Sequence, residues 1–573
     1  MFKFKNIINS QSRTITSAAI IIGALSLVSR LLGVFRDRIL ASHFGAGDTL
    51  DIYYAAFRLP DLVYNLVVLG AISAGLIPVF TSLLEEASPL NRKKQEAWRL
   101  INSVLNFIII GLLLICGLFF VFAEQIIPLI TPGFSAEKLA LVVSLSRIMF
   151  LSPVLLGISA VLGSILQSFK QFFVYSLAPI FYNIGIIVGA IYLVDEWGLY
   201  GLAWGVVFGA LLHLLIQLPT VFSSGYRYRP ILNWRDKNVL RVGRMTIPRT
   251  MTLVLNQLNI LLVTMMASTL AAGSLAIFNL ANNLQSFPLG IFGVSFAVAA
   301  LPTLSVLAVK KDLGDFVVAL SSTFRQILFL IVPVSVLFYV LRAQIVRVIL
   351  GAGEFGWLDT RLTAASLAIF ALSLFAQSVL PLLIRAFYAL QNSKTPFYLG
   401  LVSLAVNLIA LLFFCWVFSF DNDFSFFTAA ILKISDLRLV ADLRILALPA
   451  AISVSSIVNL ILLLIWLRFK IGRLDGRKII DSSLRILFSA LGAGLITYSL
   501  LQLLNLIVPT EKFLGIFAQG LLAGLGGLAG YWLLGWLLNM EEMAIFVSAM
   551  KKKLLKKVSP AVAEDVAREG EGV

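Results

Sequence analysis

Residues 98–123 read WRLINSVLNFIIIGLLLICGLFFVFA, and Arg99 near one end is the single charged residue in this stretch. An apolar run of this length is enough for a helix to cross the hydrocarbon core of a bilayer, which takes about 20 residues. A helix satisfies its own backbone hydrogen bonds where no water is available, so the run predicts a membrane-spanning helix. The stretch decides the fold class because similar runs recur along the whole chain.

Fourteen such runs predict an all-α, polytopic membrane protein with 14 transmembrane helices. An even number of spans places both termini on one side of the membrane. The predicted spans cover residues 16–40, 50–84, 98–123, 138–168, 171–194, 199–222, 245–271, 275–309, 316–342, 359–391, 396–420, 444–467, 484–508 and 513–539.

The composition excludes a soluble enzyme. Of the 573 residues, 60% are apolar and 13% are charged, whereas soluble domains carry about 25% charged residues. The two cysteines and two histidines have no spacing typical of a metal site or a disulfide framework. We therefore expect no cofactor, no metal and no enzymatic chemistry.

The net charge of +16 comes from short basic runs between the spans and is not typical here of a nucleic-acid partner. Segments on the same side as the termini hold most of the Lys and Arg residues outside the spans, including Lys551–Lys557 in the tail. Because basic loops stay on the cytoplasmic side, this distribution predicts that both termini lie in the cytoplasm and that the basic runs have membrane lipids as neighbours.

An internal repeat relates the two halves of the chain. Leu166, Gln167, Lys170, Phe173 and Asn183 recur 224 positions later as Leu390, Gln391, Lys394, Phe397 and Asn407. A six-span repeat predicts two pseudo-symmetric six-helix bundles, as in many transporters. The predicted domains are residues 1–222 and 223–468 for the bundles, 469–539 for an additional pair, spans 13 and 14, and 540–573 for a cytoplasmic amphipathic basic tail.

Prolines lie at corresponding places in spans 2 and 8. Pro60 and Pro78 in span 2 match Pro288 and Pro302 in span 8, and interrupted helices at equivalent places indicate a binding site in transporters. Pro60 and Pro288 are therefore predicted gating positions.

Charged side chains inside the apolar runs are concentrated in the first two spans. Such charges are costly in hydrocarbon and must face protein or water. One interpretation is a set of internal ion pairs that lock the helices together; the other is a cationic cavity wall that binds a phosphate or pyrophosphate. The residues concerned are Arg30, Arg36 and Asp37 in span 1 and Asp51, Arg58 and Asp61 in span 2.

Span 8 offers amides and a hydroxyl where spans 1 and 2 offer charges. Amides bind sugars and peptides well, although polar packing between helices explains them nearly as often. These residues are Asn279, Asn282, Asn283, Gln285 and Ser286, while Arg385 in span 10 is a secondary structural candidate whose side chain can instead extend to the membrane interface.

Several short motifs together resemble the MurJ/MviN family of lipid II flippases, within the multidrug/oligosaccharidyl-lipid/polysaccharide exporter superfamily. Each motif alone is weak, but their order over some 370 residues is specific. They are Ser29-Arg30-Leu31-Leu32-Gly33, Arg36-Asp37, Phe44-Gly45-Ala46-Gly47, Asp51, Ala56-Phe57-Arg58-Leu59-Pro60-Asp61-Leu62, Thr131-Pro132-Gly133-Phe134, Ala178-Pro179-Ile180-Phe181-Tyr182-Asn183, Pro288-Leu289-Gly290, Arg385-Ala386-Phe387-Tyr388-Ala389-Leu390 and Thr395-Pro396.

The resemblance implies that the protein moves an undecaprenyl-pyrophosphate-linked peptidoglycan precursor, lipid II, from the inner to the outer leaflet of a bacterial cytoplasmic (inner) membrane by alternating access. The positions that match the family's charged cavity residues are Arg30, Arg36, Asp51 and Arg58. The chain departs from the family in having Tyr64, Asn65 and Leu69 after the Leu-Pro element and Asn283 and Ser286 before Pro288, where charged residues are common. Asn65, Asn282 and Asn283 are the predicted neutral contacts to the substrate.

Other functions stay open at the level of the sequence. The substrate is lipid II or a related polyprenyl-pyrophosphate saccharide; an exporter of another lipid-linked oligosaccharide or of drugs is an alternative, and so is a membrane scaffold that transports nothing. Membrane potential, sodium or a proton could drive transport, so a coupling cation is a possible partner.

Overall fold

The computed structural model describes residues 15–69, 75–85, 92–437, 441–509 and 512–548. Regular secondary structure within these ranges is helical. Lys3, Lys5 and Arg13 and the predicted basic tail from residue 549 onward lie outside them.

The first group of helices covers the residues of predicted spans 1 to 6. It consists of α1 (Ile15–Phe44), α2 (Asp48–Val63), α3 (Ile77–Glu85), α4 (Arg92–Val121), α5 (Ala123–Ile130), α6 (Ala136–Met149), α7 (Leu151–Ser168), α8 (Phe172–Val188), α9 (Val194–Trp197), α10 (Leu199–Leu215) and α11 (Leu218–Ser223).

The second group covers spans 7 to 14. It consists of α12 (Lys237–Ser268), α13 (Ser274–Pro288), α14 (Ser295–Val309), α15 (Leu313–Val340), α16 (Arg342–Ile349), α17 (Trp357–Ala389), α18 (Lys394–Phe418), α19 (Asp423–Leu432), α20 (Ala447–Ile471), α21 (Gly476–Asn505) and α22 (Phe513–Leu537).

Eleven helical stretches of the described ranges are long and apolar enough to cross a membrane. They match eleven of the predicted spans. The other three correspond to α1, to α2 and α3 with residues 70–74 between them, and to α12, whose apolar part is Val254–Ser268. The all-helical, multi-span membrane fold is confirmed, while the number of fourteen stays a prediction.

Helix α4 shows how these spans are built for lipid. Ile108, Leu112 and Cys116, spaced four residues apart, are buried, whereas Leu114 and Val121 are 69% and 63% exposed. Large apolar side chains on the outer face of a helix suit contact with hydrocarbon rather than water.

The chain divides into two compact units that interleave along the sequence. The first consists of Met1–Phe287, Val346–Phe370 and Pro396–Ser455, and the second of Pro288–Ile345, Ala371–Thr395 and Ser456–Val573. The sequence-based domain boundaries differ from this division and stay predictions.

Pro60 does not end helix α2, which continues to Val63. A proline cannot donate to the carbonyl four residues earlier, here that of Ala56. The Ser146 hydroxyl of α6 donates to the Ala56 carbonyl instead, at 3.1 Å. A hydroxyl from a neighbouring helix thus satisfies the group that the proline leaves open.

The helix widens after each of the two predicted gating prolines. A π-helical segment over Tyr64–Leu69 follows Pro60, and another over Leu289–Val294 follows Pro288. The two segments begin 225 residues apart, close to the sequence repeat of 224. Such segments frequently occur at functional sites, and their placement supports equivalent roles for spans 2 and 8.

Asn183 and Asn407, equivalent in the repeat, make equivalent contacts. Asn183 of α8 accepts a hydrogen bond from the Arg36 guanidinium of α1 at 3.1 Å, and Asn407 of α18 donates to the Asn259 amide of α12. The first contact includes a cation, whereas the second is neutral. The repeat therefore preserves the packing position but not the charge.

Candidate functional site

Arg36 and Asp37 form an ion pair on α1. The Arg36 Nε and Nη2 atoms donate to Asp37 Oδ1 at 3.0 and 2.8 Å, and the third bond, from Nη1, goes to Asn183. The Asp37 side chain is 7% exposed and that of Arg36 23%. The Arg36 donors that the structure describes are thus largely engaged inside the protein.

Asp37 also joins α1 to α13. Its second carboxylate oxygen, Oδ2, accepts a hydrogen bond from the Asn283 amide at 2.9 Å. Both Asp37 oxygens therefore have partners, as a buried carboxylate requires. Internal ion pairs were one interpretation of the charges in spans 1 and 2, and the partners described for Asp37 are Arg36 and Asn283.

Arg30 lies one turn and a half before Arg36 and is exposed. The hydrogen bond described for its guanidinium runs from Nη1 to the Ser286 carbonyl of α13 and is long, at 3.4 Å. Most of the Arg30 guanidinium donors are therefore available to bind an oxyanion, whereas those of Arg36 are largely used by Asp37 and Asn183.

Arg58 and Tyr54 on α2 each carry a buried donor without a hydrogen-bond partner among the described residues. Arg58 Nη2 donates to Asn279 Oδ1 at 2.6 Å, but its Nε has no partner, and neither has the Tyr54 hydroxyl. Unsatisfied buried polar groups are rare and call for a functional explanation. A bound ion or an ordered water is one way to satisfy such groups.

The other predicted contacts near these residues are partly committed to their own helices. The Asn65 amide donates to the Asp61 carbonyl at 2.8 Å. The Asn282 side-chain oxygen accepts from Gln285 at 3.0 Å, which leaves the Asn282 Nδ2 donors for other partners. Asp61 and Asn282 are half-buried.

Asp51 joins α2 to the N-terminus of α13. Its Oδ2 accepts from the Gly273 backbone N–H at 2.7 Å and its Oδ1 from that of Ala276 at 2.8 Å. The first N–H groups of a helix lack partners within the helix, and a carboxylate there is also favoured by the helix dipole. Asp51 is 2% exposed, so it acts as a buried cap supplied by another helix.

The backbone approaches closely at the same end of these helices. A Cβ at Gly273 would lie 1.8 Å from the Ala46 carbonyl oxygen, so only glycine fits. Gly353 has a φ of +52°, and the next N–H, of Glu354, donates to the Ser42 carbonyl at 2.9 Å. We call the contacts of residues 38–51 with 273–276 and 348–359 the α1–α13 closure.

Pro288 and Arg385 belong to the second compact unit. Pro288 is the buried last residue of α13, and Arg385 is half-buried in α17, where its Nη1 lies 3.4 Å from the Pro381 carbonyl.

The sequence analysis missed one buried charge cluster. Glu542, 3% exposed, pairs with Arg325 of α15 and accepts a hydrogen bond from Ser482 of α21 at 2.9 Å. Glu541 also reaches Arg325, at 3.0 Å. Both acids follow the last apolar run, so hydropathy placed them outside the membrane. The sequence feature that could have indicated this cluster is Arg325, a cation within span 9 that needs an acidic partner.

The model of the lipid II flippase MurJ family matches residues 40–517. The chain belongs to this family. The match includes Asp51, Arg58 and the α13 amides, and Arg30 and Arg36 lie just before it.

Individual MurJ relatives and solved structures agree with the family match. A protein of Vibrio cholerae serotype O1 named "Probable lipid II flippase MurJ" is 29% identical over 418 residues, covering 71% of this chain and 79% of that protein. The structure described as lipid II flippase MurJ in an inward closed conformation has a TM-score of 0.68 at 23% identity, covering 90% of this chain and 99% of that one.

A more distant structural relative shares the fold. An inward-facing multidrug resistance MATE family transporter of the MOP superfamily has a TM-score of 0.62 at 14% identity and covers 80% of this chain and 99% of its own. Together with the MurJ structure, this likeness confirms the transporter fold that the motifs had suggested.

Proposed function

We propose that this chain is a flippase that moves lipid II from the inner to the outer leaflet of the cytoplasmic membrane by alternating access. The observation that carries the proposal is the pair of arginines with unused donors, Arg30 and Arg58, on two helices of a chain that belongs to the MurJ family. An alternating-access carrier binds its substrate from one side and releases it to the other without forming or breaking covalent bonds.

Arg30 and Arg58 are assigned to the pyrophosphate. A guanidinium presents several N–H groups in a planar fork that suits phosphate oxygens. Arg36 has a different role, because its ion pair with Asp37 and its bond to Asn183 hold α1 against α8 and α13. Arg36 is therefore a positioning residue in this proposal.

The neutral groups are assigned to the saccharide and peptide of the headgroup. No acceptor is described for the Asn282 amide donors. The Asn65 amide donates to the Asp61 carbonyl, and the Asn283 amide donates to the Asp37 carboxylate. The polyprenyl tail is expected along spans 13 and 14, and a coupling cation stays a prediction.

The α1–α13 closure is assigned to the outer gate. Opening to the outside must separate Asp51 from the Gly273 and Ala276 N–H groups, and the same carboxylate must recap α13 on closing. The interaction of the Asp51 carboxylate with the N-terminus of α13 thus stabilises the closed state of the gate, and opening breaks it at that one helix end.

Both termini are proposed to be cytoplasmic, as the basic loops favour. Asp421 and Asn233 are both exposed and lie in connections that this topology places on opposite sides. A cysteine at Asp421 should react with a membrane-impermeant thiol reagent in intact cells, and one at Asn233 only after lysis. Labelling of the Asn233 position in intact cells would contradict the orientation.

Reconstituted proteoliposomes test the substrate. Lipid II and a lipid-linked oligosaccharide of unrelated sugar sequence are loaded in parallel, and the fraction that reaches the opposite leaflet is followed with an impermeant modifying reagent. We expect movement of lipid II that Arg30→Gln lowers roughly tenfold to a hundredfold, since a hydrogen bond to a charged group contributes about 1.5–3 kcal/mol. Equal movement of both lipids would contradict the assignment to lipid II.

A further inference from the structure

A large cavity belongs to the second compact unit, whereas Arg30 and Arg58, the residues assigned to the pyrophosphate, belong to the first. It measures about 1460 Å³ and is formed by the start of α15, the end of α20 and the turn into α21. Four basic residues line it: Arg468, Arg473, Arg477 and Lys478. A cavity this large with several cations in its wall has room for a lipid headgroup and the upper part of its chains.

The charge of the cavity is not balanced by its own acids. Asp481 pairs at 2.9 Å with Arg485, which does not line the cavity, and Asp475 is 3.9 Å from Lys478. No hydrogen bond or ion pair is described for the side chains of Arg468, Arg473 and Arg477 within the described ranges. Three guanidinium groups thus remain to bind an anion.

The start of α21 adds to this positive field. Asp475, the residue before the helix, has a left-handed backbone with φ of 50°, and its side chain does not cap the helix. The first N–H groups of this 30-residue helix, beside Arg477 and Lys478 in the sequence, therefore lack that cap. Phosphate is the anion that such an arrangement favours.

An apolar surface continues from the cations along α21. Ile480 and Leu484 line the cavity and are 62% and 61% exposed. Leu484, Phe488, Leu491 and Leu495, spaced four, three and four residues apart, continue the same helix face, and all are exposed. The ligand must therefore have a phosphate at one end and hydrocarbon at the other.

We propose that this cavity binds the headgroup of an anionic glycerophospholipid, with the phosphate on Arg468, Arg473 and Arg477 and an acyl chain along the exposed face of α21. Basic pockets at the cytoplasmic ends of transmembrane helices bind such headgroups. The phosphate contacts are separate from Arg30 and Arg58, but α21 is span 13, along which the polyprenyl tail of lipid II is also expected. Competition with undecaprenyl phosphate therefore distinguishes a glycerophospholipid site from the path of that tail.

Native mass spectrometry of the purified full-length protein tests the site with phosphatidylglycerol and phosphatidylcholine. Phosphatidylglycerol should bind more tightly, and the double variant Arg473→Gln/Arg477→Gln should weaken its binding on the order of tenfold or more, since each basic residue near an anionic surface contributes about a factor of five. The matched control Arg227→Gln/Arg229→Gln removes two charges from an exposed loop of the first unit and should leave binding unchanged.

Two further measurements identify the ligand and show that the variants remain folded. Arg473→Lys/Arg477→Lys keeps the charges and should retain most of the binding, with an unchanged unfolding temperature in all variants. Glycerol 3-phosphate and undecaprenyl phosphate at the same concentration should not displace phosphatidylglycerol. Unchanged binding to the double Gln variant, an equal loss in the control, or displacement by either competitor would overturn the proposal.

Discussion

Arg30 and Arg36 lie six residues apart on one helix, yet their surroundings give them different tasks. Arg36 neutralises Asp37 and bonds Asn183, while Arg30 is exposed and holds only a long contact to a carbonyl among the hydrogen bonds described for it. Removing Arg36 leaves a buried carboxylate without its cation, which is costly in itself. A loss of transport on mutation of Arg36 would therefore not show that it touches the substrate.

A rescue experiment separates these two tasks. Arg36→Met should lower both transport and the amount of folded protein, and adding Asp37→Asn should restore much of both, because the unpaired charge is then removed. Arg30→Gln should lower transport at normal abundance, and Asp37→Asn should not restore it. Transport in proteoliposomes and thermal unfolding of each variant provide the measurements. If the double variant is present at normal abundance but still fails to transport, Arg36 contacts the substrate directly.

Asn283 stands where the resemblance to the MurJ/MviN family leads us to expect a charged residue. Because its amide donates to Asp37 Oδ2, an arginine there would compete with Arg36 for the same carboxylate. We expect Asn283→Arg to fold normally and to free the Arg36 guanidinium, giving tighter lipid II binding, since a charge-assisted hydrogen bond is about twice as strong as a neutral one. Lipid II affinity of the variant, with Asn283→Gln as the neutral control, is the measurement. Weaker binding with Arg than with Gln would contradict this account.

At the scale of helices, one group of contacts joins the ends of α1, α2 and α13. The Asp51 cap, the tight approach at Gly273 and the bond from Glu354 to Ser42 all lie in the α1–α13 closure. Helix ends suit a gate because their N–H groups need a partner in the closed state and find water in the open one.

Asp51→Ala tests the gate. The change leaves the Gly273 and Ala276 N–H groups without their carboxylate, a loss of about 1–3 kcal/mol for the closed state. A cysteine in place of the buried Ala276, in a background without Cys116 and Cys415, should then react at least several times faster with an impermeant thiol reagent. Asp48→Ala, which removes an exposed ion pair with Lys138, should leave the rate unchanged. Equal acceleration by both variants would show that the cap does not hold the closure.

The segment after α22, itself part of the second unit, is held to α15 by the Glu542–Arg325 pair. Glu542→Gln should lower the free energy of unfolding by about 3–5 kcal/mol, since it leaves the buried cation without its main partner. Glu541→Gln is the matched control: its side chain is 73% exposed, and exposed pairs contribute about 0–1 kcal/mol. Thermal unfolding of the two variants gives the comparison, and equal shifts would contradict the assignment of Glu542 as the buried anchor.

The position of most helices could be predicted from the sequence because hydropathy is a local property. Helices α18 and α22 begin within two residues of the predicted spans. The partners of the charged residues could not be predicted: Asn183 and Asn283 reach Arg36 and Asp37 from spans 5 and 8, and only the folded chain brings them together. Glu542 was missed because it follows the last apolar run yet folds back onto α15 and α21.

At the scale of the whole molecule, one pair of contacts that the repeat relates differs in charge. The contact of Arg36 with Asn183 in one half corresponds to the neutral contact of Asn259 with Asn407 in the other. We therefore place the substrate's phosphates against spans 1 and 2 and its neutral groups against span 8. An asymmetric distribution of charge of this kind suits a ligand with a pyrophosphate at one side of a large uncharged saccharide.

Complementation of a bacterium depleted of its own lipid II flippase tests the central claim most directly. Cells that express this chain should survive, and lipid II at their outer leaflet, measured with an impermeant reagent, should return to the level seen before depletion. Cells that express Arg30→Gln/Arg58→Gln at equal abundance should lyse, with lipid II confined to the inner leaflet. Survival with the double variant, or an outer leaflet that stays empty of lipid II when the unmodified chain is present in the membrane, would contradict the account.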